Sequence, residues 1–306
     1  MQKFLFFYIF LHSNYKKGMK QNTNYKVRLS EAITWLRFPR IFQKSIKLEK
    51  IIILISLAIV FIYANRRLYD YYSPAKERHV YKTNAPNSDT LRIAYIGDSW
   101  AYLHNKHNCQ IAQLLEDSIH HPVMVYSLGL SGFTSKEIYN ALFDVEEFKH
   151  FMKKGYHYCY ISAGINDTYK KMGTSYYQKS MDCLIRFLLA NHIQPIIQEI
   201  PDYDINKAYQ NQETNIKLTR QLSMLINGVS LDCKQEFRDA LEELIKEKGY
   251  QDQVSIVRYQ SWNNNYSDDL MKLYLTDGIH LNDYGYSVLD STIATICIAA
   301  HESNKK

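Results

Sequence analysis

From residue 91 onward, short runs of aliphatic and β-branched residues alternate with stretches that have the 3.6-residue periodicity of helices. The apolar runs are predicted strands: LRIAYI at 91–96, VMVYSL at 123–128, YCYISA at 158–163, PIIQEI at 195–200 and VSIVRY at 254–259. A helical pattern follows each run, and the last extends from about Asp283 to Ala300. Five β-α units in series predict an α/β domain over residues 91–300, a three-layer α/β/α sandwich around a mostly parallel five-stranded sheet.

The net charge of +6 is distributed unevenly along the chain. Residues 1–50 contain eleven Lys and Arg against Glu31 and Glu49, a net charge of +9, whereas the remainder has 26 bases and 29 acids, a net charge of −3. A protein that binds nucleic acid along its phosphate backbone has a basic face on the folded domain. The sequence therefore predicts no nucleic-acid partner and a separate basic N-terminal tail over residues 1–50.

Between the tail and the domain lies the apolar run IIILISLAIVFIYA at 51–64. Fourteen helical residues span about 21 Å, less than the roughly 30 Å of a bilayer core, so a buried core helix or a signal sequence remains an alternative. Cations on both sides, such as Lys50 and Arg67, favour an uncleaved transmembrane anchor at 51–67, followed by a polar linker at 68–90. The basic tail favours a cytoplasmic N-terminus, so we expect a single-pass protein of the inner (plasma) membrane with a periplasmic, extracytoplasmic domain.

In an open parallel sheet, ligands bind beyond the carboxyl ends of the strands. The first predicted strand ends at Gly97-Asp98-Ser99-Trp100. A serine in the first turn of a helix lies at the positive end of the helix dipole, which suits a nucleophile whose adduct is an oxyanion. Asp or Ser at this place is also the commonest kind of helix cap, so this motif alone leaves both interpretations open.

The second and third predicted strands end in candidate hydrogen-bond donors. Gly132, in GLSGFTS, permits the close approach of a backbone N–H to a ligand, and Asn166, in GIND, offers an amide to a developing negative charge. Taken singly, each segment also fits an ordinary turn.

The last candidate pair is Asp277 and His280, in LTDGIHLNDYGY just before the final helix. An Asp three residues before a His can fold back onto the imidazole, orient it and stabilise its protonated form. The same spacing recurs at Asp117 and His120. That second pair lies at the far end of the helical region after Ser99, away from the strand ends, and is not a catalytic candidate.

These four motifs occur in one order at the predicted strand ends, and over residues 91–300 the sequence resembles the SGNH, or GDSL-type, hydrolase superfamily, as a membrane-anchored member. The resemblance implies the flavodoxin-like fold of that superfamily. It also implies Ser99 as the nucleophile, with His280 and Asp277 completing the catalytic triad. The implied oxyanion hole consists of the N–H groups of Ser99 and Gly132 and the amide of Asn166.

The resemblance further implies a serine esterase that hydrolyses carboxylic esters, acetyl esters above all, through an acyl-enzyme. With an extracytoplasmic domain, we expect the substrate to be a small ester or an acylated glycan of the cell envelope or of an exported polysaccharide. An O-acyltransferase acting on glycan hydroxyls would use the same triad. A catalytically inactive glycan-binding or assembly protein would keep the fold, so these alternatives stay open.

Three positions depart from the superfamily pattern: Trp100 stands where leucine is usual, Ser127 where asparagine is common, and Phe133 where Asp or Ala is frequent. Together with Trp262, the aromatic residues Trp100 and Phe133 are predicted to line the substrate cleft, where their rings could stack on sugars.

His104, His107 and Cys109 form an H-x-x-H-x-C pattern that could hold a metal ion. Structural zinc sites use four ligands in paired knuckles, and C-x-x-C occurs nowhere in the sequence. The favoured interpretation is a polar helix face near the cleft, so no metal and no cofactor are predicted. The five cysteines are widely spaced and assign no disulfide.

Overall fold

The computed structural model describes residues 48–86, 89–107, 109–263 and 265–303. Almost all of the predicted basic tail, residues 1–50, lies outside this part of the chain. The chain divides into two compact units, of which the first ends at Arg67 and the second begins at Leu68.

The first helix, α1 (Leu48–Tyr72), is longer than the apolar run at 51–64. Its segment Lys50–Tyr72 has 23 residues and a mean hydropathy of 1.9 in its most apolar stretch, none of which is buried in the protein. Twenty-three helical residues extend about 34 Å, so α1 is long and apolar enough to cross a membrane.

Five parallel strands form one sheet. They are β1 (Leu91–Gly97), β2 (Val123–Gly129), β3 (Tyr158–Ser162), β4 (Gln194–Gln198) and β5 (Ser255–Val257). Their order in the sheet, β2-β1-β3-β4-β5, confirms the predicted α/β fold and its flavodoxin-like topology.

The fifth strand is shorter than its sequence pattern predicts. It pairs with β4 over three residues, and the chain then leaves the sheet at Arg258. The carboxylate of Glu199 accepts hydrogen bonds from the Arg258 guanidinium at 3.1 Å and from the Tyr259 N–H at 2.9 Å, which holds the chain in a short 3-10 turn instead of a continued strand.

Helices cover both faces of the sheet. Within the described residues, the helices of the domain are α2 (Ser99–His104), α3 (Ile111–Ile119), α4 (Ser135–Asp144), α5 (Glu146–Lys153), α6 (Ile165–Tyr169), α7 (Thr174–Leu189), α8 (Ile205–Gln210), α9 (Thr214–Asn227), α10 (Lys234–Lys248), α11 (Tyr266–Leu273) and α12 (Asp283–Ser303). Of these, α3 packs against α12, whereas α7 packs against α4 and α10. Because crossovers between parallel strands are right-handed in nearly all proteins, these two groups belong to opposite faces, as a three-layer sandwich requires.

The segment after α1 has no regular secondary structure over residues 74–86, yet it is bound along the domain. The N–H of Ala75 donates to Ser180 Oγ at 3.1 Å, and the N–H of Thr83 donates to Asn191 Oδ1 at 2.9 Å. The polar segment predicted as a linker therefore lies against α7 and the residues that follow it.

Candidate active site

Two glycines at the ends of neighbouring strands let the chain pack closely where the first motif begins. A Cβ atom on Gly97 would lie 2.2 Å from the carbonyl oxygen of Ser162, and one on Gly129 would lie 2.1 Å from the backbone nitrogen of Tyr102. Because no side chain fits at either position, the start of α2 is held directly against the carboxyl ends of β2 and β3.

Ser99 is the first residue of α2, and its side chain is buried at that sheet edge. Asp98 caps the helix, since its Oδ1 accepts a hydrogen bond from the N–H of Trp100 at 3.0 Å. The capping and nucleophile interpretations of the GDS motif therefore belong to two adjacent residues, and capping falls to Asp98.

His280 connects Ser99 with Asp277. Its Nε2 is 2.9 Å from Ser99 Oγ, and its Nδ1 is 2.7 Å from Asp277 Oδ2. The second carboxylate oxygen, Oδ1, accepts the N–H groups of Ile279 and His280 at 2.9 and 3.0 Å. Burial opposes ionisation of this carboxyl, but the hydrogen bonds from the His280 side chain and from the two backbone N–H groups outweigh burial and lower the pKa of Asp277.

The loop that carries this pair is fixed from two sides. The N–H of Leu275 donates to the carbonyl of His280 at 2.7 Å, and the hydroxyl of Tyr266 donates to the carbonyl of Gly278 at 2.6 Å. Gly278 has a φ of +70°, a conformation that suits glycine and tightens the turn between Asp277 and His280.

Asn166 contacts Asp98, the residue before Ser99. Its Nδ2 donates to Asp98 Oδ2 at 3.2 Å, which uses one of the two N–H bonds of the amide. Gly132 has a φ of +80°, and a Cβ atom built on it would meet nothing within 4 Å. Two residues earlier, the N–H of Leu130 donates to the carbonyl of Gly97 at 2.9 Å, which ties the Gly132 loop to the end of β1.

Two buried carboxylates lie beside these residues. The sequence offered Asp98 only as a helix cap and gave Asp167 no role. Asp98 joins Trp100 to Asn166, and Asp167 joins the third strand end to Ser135, the first residue of α4. Burial raises the pKa of Asp98 to about 7 and that of Asp167 to about 6. The sequence feature that could have indicated a role for both residues is their position inside the GDS and GIND motifs.

Two of the three aromatic residues predicted to line the cleft lie in the core. The ring of Trp100 is fully buried and packs edge-on against Trp262 at 5.8 Å between centroids, and Trp262 is 5% exposed. Neither presents a free face for stacking on a sugar, so that expectation is corrected for both. Burial of the large apolar indole rings of Trp100 and Trp262 stabilises the fold more than exposure in a cleft would. Phe133 is partly exposed, and its predicted role stays a prediction.

The three residues of the H-x-x-H-x-C pattern do not form one cluster: His104 and Cys109 lie close together, whereas His107 has a different partner. His104 lies between Ser127 Oγ at 2.9 Å and Asp290 Oδ1 at 2.7 Å, and the pair with Asp290 is almost completely buried. Burial opposes protonation of the imidazole, but the hydrogen bond to Asp290 outweighs it and raises the pKa of His104 to about 9. Ligand atoms of His104, Cys109 and Asp290 lie within 4.8 Å of one another, whereas His107 pairs with Asp283.

A serine hydroxyl and a carboxylate thus lie on the two sides of one imidazole at the carboxyl edge of a parallel sheet, an arrangement that can support nucleophilic chemistry at the serine. The model of the GDSL-like lipase/acylhydrolase family matches residues 95–288. The chain belongs to this family and is an SGNH-type ester hydrolase.

Several solved structures are similar to this chain. A lipase/acylhydrolase from Enterococcus faecalis is 16% identical, over 67% of this chain and 94% of that one, with a TM-score of 0.46. A GDSL-like lipase from Bacteroides thetaiotaomicron is 16% identical, over 72% and 92%, with a TM-score of 0.45. An acetyl xylan esterase is 13% identical, over 67% and 98%, with a TM-score of 0.46. A comparison with curated proteins finds no match.

Proposed function

We propose that Ser99, His280 and Asp277 are the catalytic triad of a membrane-anchored serine esterase. The observation that carries this proposal is the position of the His280 ring, with Ser99 Oγ 2.9 Å from one nitrogen and Asp277 Oδ2 2.7 Å from the other. Both separations are ordinary hydrogen-bond lengths, so proton transfer from the hydroxyl to the imidazole needs no rearrangement.

In the first half of the reaction, His280 Nε2 removes the Ser99 proton as Oγ attacks the ester carbonyl. The tetrahedral intermediate then expels the alcohol, which takes that proton from the imidazolium, and an acyl-serine remains. In the second half, His280 removes a proton from water, the hydroxide attacks the acyl-serine, and the carboxylic acid leaves as Ser99 regains its proton. Asp277 stays ionised throughout and stabilises the imidazolium, in keeping with its lowered pKa.

The N–H groups of Ser99 and Gly132 and the second N–H of the Asn166 amide are proposed to bind the oxyanion. Asn166 is well prepared for this role, because Asp98 already fixes one of its two N–H bonds. A fixed donor costs no reorganisation when charge develops on the carbonyl oxygen, and one such donor lowers the barrier by about 2.7–4 kcal/mol.

Solvent access favours water over a sugar hydroxyl as the acceptor. The side chains of His280 and Asp277 are 25% and 45% exposed, so bulk water reaches the base that would activate the second nucleophile. An acyltransferase needs to exclude water from its acyl-enzyme, because bulk water competes with any alcohol for the acyl group. We therefore propose hydrolysis as the main reaction.

For the substrate we propose acetyl esters on a polysaccharide of the cell envelope. A concavity of about 530 Å³ adjoins the catalytic loop through Tyr266, whose hydroxyl binds Gly278. Its lining is mainly polar, which suits a hydroxyl-rich ligand better than a lipid chain. The residues that line it include Asp204, Asn206 and Asn265.

The proposed location is supported by α1. Its apolar stretch passes the length and hydropathy test for a spanning helix, and Arg66 and Arg67 continue it where the apolar run ends. We propose that α1 anchors the chain in the inner membrane, with the esterase domain on the periplasmic side.

Replacement of the nucleophile tests the triad. We expect Ser99→Ala to lower kcat for p-nitrophenyl acetate at least about 10³-fold. The matched control is Ser118→Ala, at an exposed serine of α3 whose hydroxyl donates to the Leu114 carbonyl, and it should keep wild-type activity. Equal residual rates in wild type and Ser99→Ala would exclude the proposed triad. Acetate release from an acetylated polysaccharide, compared with acetyl transfer to an added oligosaccharide, separates hydrolysis from transfer.

A further inference from the structure

Helix α9 (Thr214–Asn227) presents its apolar side to solvent. Leu218, Leu222, Leu225 and Ile226 are 67%, 50%, 82% and 43% exposed. Their spacing of i, i+4, i+7 and i+8 places them on one face of the helix, here named the apolar stripe. Within the described residues of α9, the side chain of Ser223 is the one that is buried. A surface helix of a globular protein normally turns such a stripe towards the core.

The side of α9 that contacts the domain is mostly polar. Ser223 Oγ lies 2.5 Å from the Tyr72 hydroxyl, and the amide of Asn227 donates to the carbonyl of Lys171 at 2.7 Å. The guanidinium of Arg220 lies over the ring of Tyr169, 5.1 Å from its centroid. Because these contacts fix the rotation of α9 about its axis, the apolar stripe is held facing outward.

Chain continuity brings the helix close to the anchor. Tyr72, the partner of Ser223, follows Arg67 by five residues. Five residues of chain reach at most about 18 Å in any conformation. A bilayer that holds α1 therefore has its interface within a short reach of α9.

We infer that the apolar stripe inserts into the interfacial region of the bilayer that holds α1, and so fixes the orientation of the esterase domain on the membrane. This inference rests on the proposed membrane anchoring. The charge of α9 suits anionic headgroups, because Lys217 lies next to the stripe residue Leu218 and the helix contains no Asp or Glu. With α1 as one attachment and the stripe as a second, the active site is held at a defined height and angle above the lipid.

A second copy of the chain is the competing occupant of this surface. Four partly exposed aliphatic side chains offer about half of the roughly 800 Å² per partner that a stable interface buries. The stripe alone is therefore too small for a stable dimer, whereas insertion into lipid needs no matching surface.

Quenching by brominated lipid measures the depth of the stripe directly. The full chain is reconstituted into vesicles of phosphatidylcholine and phosphatidylglycerol, with and without brominated acyl chains. One variant has Leu225→Trp, at the most exposed stripe position, and the matched control has Glu247→Trp, at an exposed position of α10. Quenching is scored as the difference from the wild-type chain, so the native tryptophans cancel. We expect the added tryptophan at 225 to be quenched at least about twofold more than the one at 247.

The outcomes separate this inference from the proposed anchor. If the chain floats with vesicles after alkaline carbonate washing but the tryptophans at 225 and 247 are quenched equally, the anchor stands and the inference about α9 is wrong. Loss of flotation would overturn both. A dimer in detergent that dissociates in the Leu218→Gln/Leu222→Gln variant, together with equal quenching, would assign the stripe to a second copy. If the stripe inserts into lipid, adding Leu218→Gln/Leu222→Gln to the Leu225→Trp variant lowers the quenching of the tryptophan at 225 and leaves flotation unchanged.

Discussion

The carboxylate of Asp167 accepts hydrogen bonds from both the main-chain N–H and the hydroxyl of Ser135, at 2.8 and 2.5 Å. Asp167 follows Asn166 in α6, the short helix after β3, and Ser135 begins α4 three residues after Gly132. This buried contact therefore links the two segments that carry the proposed oxyanion donors. A change in the Asp167–Ser135 contact alters the distance between those donors without touching either one.

Asparagine and alanine at position 167 should have very different effects. Asp167→Asn keeps an acceptor for the Ser135 N–H, and its amide can donate to the Ser135 hydroxyl, which rotates to accept. We expect kcat within a few-fold of wild type. Asp167→Ala leaves two buried donors without a partner and frees the loop, so we expect kcat to fall on the order of 100-fold. Steady-state kinetics on p-nitrophenyl acetate, with circular dichroism to check folding, measure both. Equal losses in the two variants would contradict a positioning role through hydrogen bonds.

Asparagine at position 98 should behave differently from asparagine at 167. Asp98→Asn can still cap α2 through its carbonyl oxygen, but its NH₂ group then faces the NH₂ group of Asn166. Because two donors cannot pair, the Asn166 amide loses its fixed orientation. We expect kcat to fall by about 10²-fold with little change in KM, the pattern of a lost transition-state contact. Asp167→Asn is the control, since it also removes one buried carboxylate; a similar loss in both would point to the charge and not to Asn166.

Two glycines with a similar positive φ allow the effect of backbone strain to be distinguished from the effect on catalysis. Gly132 and Gly228 have φ values of +80° and +66°, and a Cβ atom at either would meet nothing within 4 Å. Alanine at each should cost about 1–2 kcal/mol of stability, because an L-residue is strained in the left-handed region. We expect similar drops in melting temperature for both variants, but a fall in kcat of tenfold or more only for Gly132→Ala, whose N–H would move. A catalytic loss in Gly228→Ala, which ends α9, would indicate a global effect.

The strand ends were predictable because they combine two independent signals. Five apolar runs predicted the strands of the sheet, and the general topology of parallel sheets predicted the edge at which ligands bind. Ser99, Asp277 and His280, from opposite ends of the domain sequence, meet at that edge with hydrogen-bond distances. Short motifs that are weak alone became specific through their position.

Other features could not be predicted because they depend on contacts between residues distant in sequence. Nothing near Trp100 indicates that its ring packs on Trp262 in the core. The sequence of α9 has the periodicity of a helix with one apolar face, and such a face normally packs against the core. In the structure, the hydrogen bond between Ser223 and Tyr72 holds the opposite side against the domain, so the apolar face turns outward. Likewise, Asp98 is a plain cap in the sequence, and only the fold brings Asn166 to its second oxygen.

The two buried carboxyls should make stability depend on pH. Burial raises the pKa of Asp98 to about 7 and that of Asp167 to about 6, whereas both titrate near 3.9 in an unfolded chain. Between about pH 4 and pH 7 the folded protein thus holds protons that the unfolded chain has lost. The free energy of unfolding then falls as pH rises, by at most about 1.4 kcal/mol per pH unit for each carboxyl. The contribution is fully present below about pH 4 and is lost as pH rises through the folded pKa values.

Urea unfolding of the full chain in detergent at pH 5, 6 and 7 measures this dependence, with Asp98→Asn/Asp167→Asn as the comparison. We expect the double variant to lose less stability than wild type over these two pH units, because neither amide titrates. His104, with its pKa raised to about 9, makes stability fall as pH rises from about 6.5 to 9, so its effect lies mainly above this range and is common to both proteins. Parallel pH curves for wild type and the double variant would show that Asp98 and Asp167 stay ionised in the folded protein down to pH 5.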